Sequence, residues 1–342
     1  MAPVESPPPP RRSSPPGGAQ DPPALPRQLG PYRILRRIGA GGMAEVHLAR
    51  RYGASGWDKQ VAIKVLRPEH RGRSDFERLL IGEARLGSRF NHPGLVSVHD
   101  LGLAGSIYYV CMDYVDGRDL SALMRRRRLP APLALLVGEQ LASALAYVHA
   151  LTDEHGRSLG LVHRDVSPGN VLLSRSGAVK LSDFGIAKAT AADATWGRLR
   201  MGKYAYMAPE QLTGGALTGA ADLFALGVTL HECLLGRRPF DGHDPDDTMD
   251  AIRRAEFGPN HDFGGLDEEL VAVLRSTLAR DASRRMPGGA VGLARALNEA
   301  RRRYPPVAMV DLGAWVRETL DGDPGASGVM VLETLGMDDE AS

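Results

Sequence analysis

His163-Arg164-Asp165-Val166-Ser167-Pro168-Gly169-Asn170, followed by Asp183-Phe184-Gly185, decides how the rest of this chain is read. An aspartate that can accept a hydroxyl proton, an asparagine five residues on and a second aspartate form a set able to hold magnesium beside a nucleophile. Carboxylate and amide oxygens suit a hard cation that keeps several of its waters. Asp165 and Asp183 are 18 residues apart. Between them Val171 to Leu173 and Val179 to Leu181 read as the two strands of a hairpin, whose reversal brings both aspartates to one cleft.

Upstream, Gly39-x-Gly41-Gly42-Met43-Ala44-x-Val46 lies between two strand-like stretches, so it reads as a phosphate-covering hairpin and not as the strand-to-helix turn of a dinucleotide fold. Ala44 stands where a third glycine would complete the pattern. Val61-Ala62-Ile63-Lys64 puts a lysine on the next strand, and Glu83, nineteen residues on, sits mid-helix where it can pair with that lysine. Downstream, Ala208-Pro209-Glu210 closes a long loop, and Asp222 and Arg285 stand at anchor positions. Any one of these matches is unremarkable; the ordered series is not.

The wider pattern agrees. Strand-like, Gly-punctuated segments run over Tyr32 to Ile38, Glu45 to Arg50, Gln60 to Leu66, Leu95 to Leu101 and Ile107 to Met112. One helix, from about Ser74 to Phe90 with Ser74 as N-cap, interrupts them. Beyond Gly117 the apolar spacing becomes helical, as in Pro132 to Leu151, Ala220 to Leu235 and Asp267 to Leu278. The expected fold class is α+β, with a small antiparallel-sheet lobe over residues 30–114 and a mainly helical lobe over 115–303. Residues 1–29, with Pro7 to Pro10, read as a disordered proline-rich tether, or as a polyproline segment for an aromatic groove. Residues 304–342 read as an extension: an apolar row Met309, Leu312, Val316, Leu320 that packs on the helical lobe, then an acidic flexible tail.

Bulk composition excludes several classes. With 42 basic and 41 acidic residues the formal charge is +1, so electrostatics favours neither nucleic acid nor an anionic membrane. Only five of the basic residues are lysine, and the Arg-, Ala- and Gly-rich bias is that of a GC-rich coding sequence. Cys111 and Cys233 sit in apolar stretches and read as buried thiols in a reducing compartment. No apolar run approaches the roughly 20 residues of a bilayer span, and the start is neither charged nor apolar enough for a signal sequence. A cytoplasmic protein without membrane insertion is expected, with the tails left to receive a soluble regulatory partner.

Over about residues 32 to 300 the motifs resemble the eukaryotic-like (Hanks-type) Ser/Thr protein kinases of bacteria. That resemblance implies ATP with Mg2+ or Mn2+ as cofactors and protein substrates. It implies that Ile38, Gly39, Gly41, Gly42, Val46 and Ala62 surround the nucleotide, that Lys64 and Glu83 pair over its phosphates, and that the backbone of Asp113 and Val115 holds adenine. Met112 becomes the gatekeeper and Asp119 a ribose neighbour. Asp165 is the catalytic base, Asn170 and Asp183 the metal ligands, and Glu210 pairs with Arg285. Gly87, Val98, His163 and Phe184 form the regulatory spine, with Gly87 a side-chain-free member that leaves the helix of Glu83 loosely held.

Two positions depart from the family. It carries a lysine where this chain has Ser167, and Gly-Thr where this chain has Gly202-Lys203. The departures look reciprocal: Lys203 is expected to supply the missing ammonium and Ser167 the hydroxyl. The other reading of the same residues is a nucleotide-binding pseudokinase that works as a scaffold. Arg164 before Asp165 implies activation by phosphorylation of the intervening loop, at Thr195 first and Thr190 second.

Overall fold

The structure is a computed structural model and describes residues 25–184, 204–257 and 261–322. A six-stranded antiparallel sheet forms the small lobe: β1 (Gln28–Leu29), β2 (Tyr32–Ala40), β3 (Ala44–Tyr52), β4 (Asp58–Leu66), β5 (Val98–Ala104) and β6 (Ile107–Asp113), in the order β1-β2-β3-β4-β6-β5. Strand β4 is central, and its last six residues are all buried. Strand periodicity sends alternate residues to opposite faces. Val61, Ile63 and Val65 therefore join Leu29, Tyr32 and Tyr109 in one core, while Ala62, Lys64 and Leu66 face the other way. The second face is covered by α1 (Ser74–Gly87), whose Phe76, Leu80 and Ala84 pack against Leu66 and Val110. The sheet thus delivers a lysine to a nearly dry surface between strand and helix.

Two expectations need correction here. Leu25 to Leu29 belong to the folded lobe and not to the tail, because Leu29 is fully buried in the sheet's outer core and Leu25 packs against it. Ser74 is the first helical residue and not the N-cap. Arg73 takes the cap position without a side-chain cap bond; its guanidinium instead pairs with Asp75 at 2.9 Å and lies over the Phe76 ring.

A three-stranded sheet, β7 (Gly117–Asp119), β8 (Val171–Ser174) and β9 (Val179–Leu181), opens the large lobe. Its helices are α2 (Leu120–Arg126), α3 (Ala131–His149), α4 (Pro209–Thr213), α5 (Gly219–Leu235), α6 (Pro245–Arg254), α7 (Glu268–Thr277), α8 (Gly289–Arg301) and α9 (Met309–Asp321). Helices α3 and α5 are apolar nearly all round, as central helices must be. Against the expectation that no apolar run approaches a bilayer span, helix α3 is long and apolar enough by length and composition to cross a membrane, but its apolar residues form the lobe's main core with α5 and α8. Helix α9 adds Leu312, Trp315, Val316 and Leu320 to that core. It approaches the β8–β9 turn so closely that a Cβ on Gly177, at φ +93°, would stand 1.7 Å from the Met309 carbonyl oxygen. Arg175–Asp321 at 2.9 Å and Arg127–Glu318 at 2.8 Å tie down its far end.

His231 is buried in α5. Its Nδ1 donates to the Arg237 carbonyl at 2.8 Å, so its Nε2 is left to accept from His261 Nε2 at 3.0 Å. Burial, with a smaller contribution from His261 and Arg237, lowers the His231 pKa from 6.5 to about 4; the Arg237 carbonyl opposes this. The unfolded chain then binds the proton first as pH falls, so this histidine's contribution is complete above 6.5 and is lost between 6.5 and about 4. The unfolding midpoint should fall on acidification from about pH 7 to about pH 5. His231→Asn, which keeps an N–H for Arg237, should flatten that dependence in thermal unfolding scans; an unchanged slope would contradict the assignment.

Candidate active site

Lys64 lies opposite Val46 of β3 and Val110 of β6, and its Nζ reaches two carboxylates from different parts of the chain. It is 2.7 Å from Glu83 Oε1 on α1 and 2.6 Å from Asp183 Oδ1 just past β9. The lysine side chain is only 9% exposed. Burial alone would lower its pKa, but the charges and hydrogen bonds of Asp183 and Glu83 outweigh burial, and the ammonium is held above its ordinary value. Burial pushes the Glu83 carboxyl up, Lys64 pulls it back, and the neighbouring Asp183 adds to the rise. The Glu83 and Asp183 carboxylates thus share the Lys64 ammonium.

The catalytic-loop backbone is held from below. Asp222, buried in the first turn of α5, accepts from the N–H of His163 at 2.7 Å and of Arg164 at 2.8 Å, and its Oδ2 also meets His149 Nε2 at 2.8 Å. These bonds help to hold Arg164 at φ +69°, a conformation uncommon for a side-chain-bearing residue. Asp183, at φ +57°, is the second such residue in the site. The Asp165 N–H donates to His163 Nδ1 at 3.3 Å, and the Asn170 side-chain amide donates to the Asp165 carbonyl at 2.7 Å. That bond uses the amide NH2, so the amide oxygen is the other branch of the side chain. The Ser182 N–H donates to the Asn170 carbonyl at 2.9 Å, and Ser182 Oγ lies 3.1 Å from Asp183 Oδ2. The expected hairpin therefore joins Asn170 to Asp183 through one serine.

Those two side chains fit magnesium or manganese. Both offer hard oxygens, and such a metal takes its remaining ligands from water and phosphate. Among the described residues no group of three or more His, Cys, Asp or Glu is placed to hold a metal ion.

Ile38, Val46, Ala62 and Val115 come together with Met112 in one apolar cluster; Gly39 pairs with Val46 near the end of β2, and Gly41 and Gly42 form the turn to β3, closed by the Gly41 N–H to the Ala44 carbonyl at 2.7 Å. Leu172 completes the cluster from the large lobe. The sequence reading missed it, although its place two residues after Asn170 was the available signal. The Asp113 carboxylate turns to Lys180 Nζ at 3.1 Å and His99 Nε2 at 2.8 Å. Burial would raise its pKa, but Lys180 and His99 bring it below the usual carboxylate range. Lys180, also missed, bonds the Leu95 carbonyl at 3.0 Å as well, and so ties β9 to the inter-lobe joint. Asp119 is buried, and its Oδ1 caps α2 through the Ala122 N–H at 2.7 Å.

Ser167 is 3% exposed, and its Oγ has no hydrogen-bond partner among the described residues. The bond from Ser167 to Asp165 implied by the hydroxyl role is therefore not made in this structure. Lys203, Thr190 and Thr195 lie outside the described residues. At the spine position Val98 closes on Gly87, while the ring against Phe184 comes from Phe90, which the sequence reading did not single out.

Arg285 anchors α4. Its two terminal nitrogens reach Glu210 at 2.6 and 2.8 Å, its Nε bonds the Ala279 carbonyl at 2.7 Å, and the side chain is fully buried. Removing one partner of such a pair leaves a buried charge uncompensated. Arg285→Met should cost about 3–5 kcal/mol of unfolding free energy in denaturant titrations, whereas the same change at an exposed arginine should cost under about 1 kcal/mol.

Comparison with known proteins agrees with this geometry. Residues 32–294 match the family model described as protein kinase domain. A Myxococcus xanthus protein named tyrosine-protein kinase MasK is 40% identical over 266 residues, covering 75% of this chain and 41% of its own length. Serine/threonine-protein kinase PrkC of Bacillus subtilis is 40% identical over 215 residues, covering 62% of this chain and 32% of its own. Serine/threonine-protein kinase PknA of Mycobacterium tuberculosis is 38% identical over 286 residues, covering 81% of this chain and 63% of its own. The chain thus spans between about a third and two thirds of these relatives. With the domain match covering most of its length, this chain belongs to the protein kinase family.

Proposed function

We propose that this chain transfers the γ-phosphoryl group of ATP to serine and threonine hydroxyls of protein substrates. The observation that carries the reading is Lys64, 2.7 Å from Glu83 and 2.6 Å from Asp183, because only a closed pair of lobes puts these three groups together. Magnesium or manganese, when bound, neutralises charge on the phosphate oxygens. Asp183 and Asn170 would hold it. Lys64 binds the first two phosphates, the Gly39–Gly42 segment at the end of β2 covers them, and the apolar cluster with the Asp113 and Val115 backbone receives the adenine. Asp165 orients the substrate hydroxyl and accepts its proton as the hydroxyl oxygen bonds the γ-phosphorus, while the bond from that phosphorus to the β,γ-bridging oxygen breaks and ADP leaves.

Lys203 supplies the ammonium that the catalytic loop lacks. The Ser167 hydroxyl supports this: a buried oxygen with no donor among the described residues suits an ammonium group, which has only donors to offer. The acceptor is serine or threonine, following the names of two of the three relatives described above; the name of the third makes tyrosine the competing acceptor. Thr195, then Thr190, is the site of self-phosphorylation. The chain works in the cytoplasm, where Cys111 and Cys233 stay reduced, and a soluble partner acting through a tail is its regulator. The same Ser167 favours the second reading, a pseudokinase scaffold, if Lys203 does not compensate.

Transfer from labelled ATP to a generic protein substrate, followed by phosphoamino-acid analysis, separates the readings. Wild type should transfer to serine and threonine, and Asp165→Asn should abolish it. Lys203→Ala should cut turnover about 10²- to 10³-fold with little loss of nucleotide affinity. Ser167→Lys and Lys203→Thr should each impair transfer, and the double variant should recover it. Wild-type turnover in Lys203→Ala would refute the exchange; nucleotide binding without transfer in wild type would favour the scaffold.

A further inference from the structure

Phe184 is gripped by two rings. His163 of the catalytic loop lies 4.3 Å away between centroids, and Phe90, just beyond the end of α1, lies 4.4 Å away. The two aromatic residues of the α1 region do different things. Phe76 packs with Leu80 and Ala84 in the small-lobe cluster, whereas Phe90 belongs to the main core of the large lobe. Gly87 stands one turn after Glu83 on α1 and has no side chain to send toward Phe184. The space a side chain would need is taken, for Val98 Cγ2 sits 2.6 Å from the position of a Cβ on Gly87. The apolar contact from the α1 region to Phe184 thus comes from Phe90.

We infer that Phe90 is a positioning residue for Asp183. By packing on Phe184 it fixes the neighbouring Asp183 backbone at φ +57°, a conformation that persists only when the surroundings over-determine it. That backbone sets the direction of the carboxylate that Lys64 meets at 2.6 Å. Phe90 therefore replaces, from outside the helix, the contact that Gly87 cannot make, and couples the docking of α1 to the carboxylate assigned to the metal. The inference rests on the reading of Asp183 as a metal ligand.

The test compares Phe90→Ala and Phe90→Leu with Phe76→Ala, a control that is equally aromatic, buried and close in sequence but remote from Phe184. ATP affinity is measured by calorimetry in magnesium and in EDTA, at a temperature where each variant is folded, with turnover alongside. Phe90→Ala should lose at least about tenfold of the magnesium-dependent gain in affinity and a similar factor in turnover, and keep metal-free affinity within about threefold, since one misdirected charged group costs on that order. Phe90→Leu should restore both. Phe76→Ala should lower the unfolding midpoint and keep the magnesium gain. If Phe90→Ala does not fold, Phe90→Val provides the shortened side chain for the same comparison. A wild-type magnesium gain in the shortened variant, or an equal loss in Phe76→Ala, would overturn the inference. A magnesium gain without phosphoryl transfer in wild type would fail the proposed activity alone, and absence of that gain in wild type would overturn this inference with its premise.

Discussion

One buried ammonium between two carboxylates sets the terms for the whole molecule. Lys64 comes from β4, Glu83 from α1 and Asp183 from the end of the β8–β9 hairpin, so each charge rides on a different element and the third belongs to the other lobe. A lysine removed from water without partners would give up its proton; with both carboxylates it keeps it. The small lobe must close on the large one, and α1 must dock, before that balance exists. The cluster therefore reports on the state of the fold as well as on readiness for nucleotide.

The rest of the structure supplies the rigidity that this arrangement needs. Asp222 holds two successive catalytic-loop amides, Ser182 links Asn170 to Asp183, and Lys180 ties β9 to the inter-lobe joint through Asp113 and the Leu95 carbonyl. Two side-chain-bearing residues in the left-handed region, Arg164 and Asp183, sit inside this frame. Strain of that kind persists where neighbours over-determine the backbone, and a site whose function is to position charges is such a place. Helix α9, beyond the family match, braces the hairpin turn from outside and adds Trp315 to the same core.

Much of this was legible in the sequence for physical reasons. Strand alternation placed Lys64, helical spacing placed α3 and α5 within a residue or two of their ends, and the two apolar runs between Asn170 and Asp183 gave the hairpin that joins them. What escaped was side-chain choice among alternatives that a pattern does not rank. Ser74 is a better N-cap than Arg73 by propensity, yet Arg73 is held by Asp75 and Phe76. Leu25 to Leu29 follow a proline-rich run and looked like tail, until the sheet offered Leu29 a buried seat. Leu172, Lys180 and Phe90 act across lobes, at sequence distances where periodicity carries no information. For Gly87 the missing side chain was visible, but not the residue that makes its contact.

The claim that the Lys64 cluster organises chemistry is tested most directly at Glu83, which touches the lysine and need not touch nucleotide. Glu83→Gln keeps the shape and removes one of the two charges that hold the ammonium. Turnover and MgATP affinity should be measured on the same folded preparation. The account predicts a turnover loss of about 10²-fold with affinity changed by less than about tenfold, the pattern of a lost positioning charge. Wild-type turnover in Glu83→Gln, with the fold intact, would contradict it.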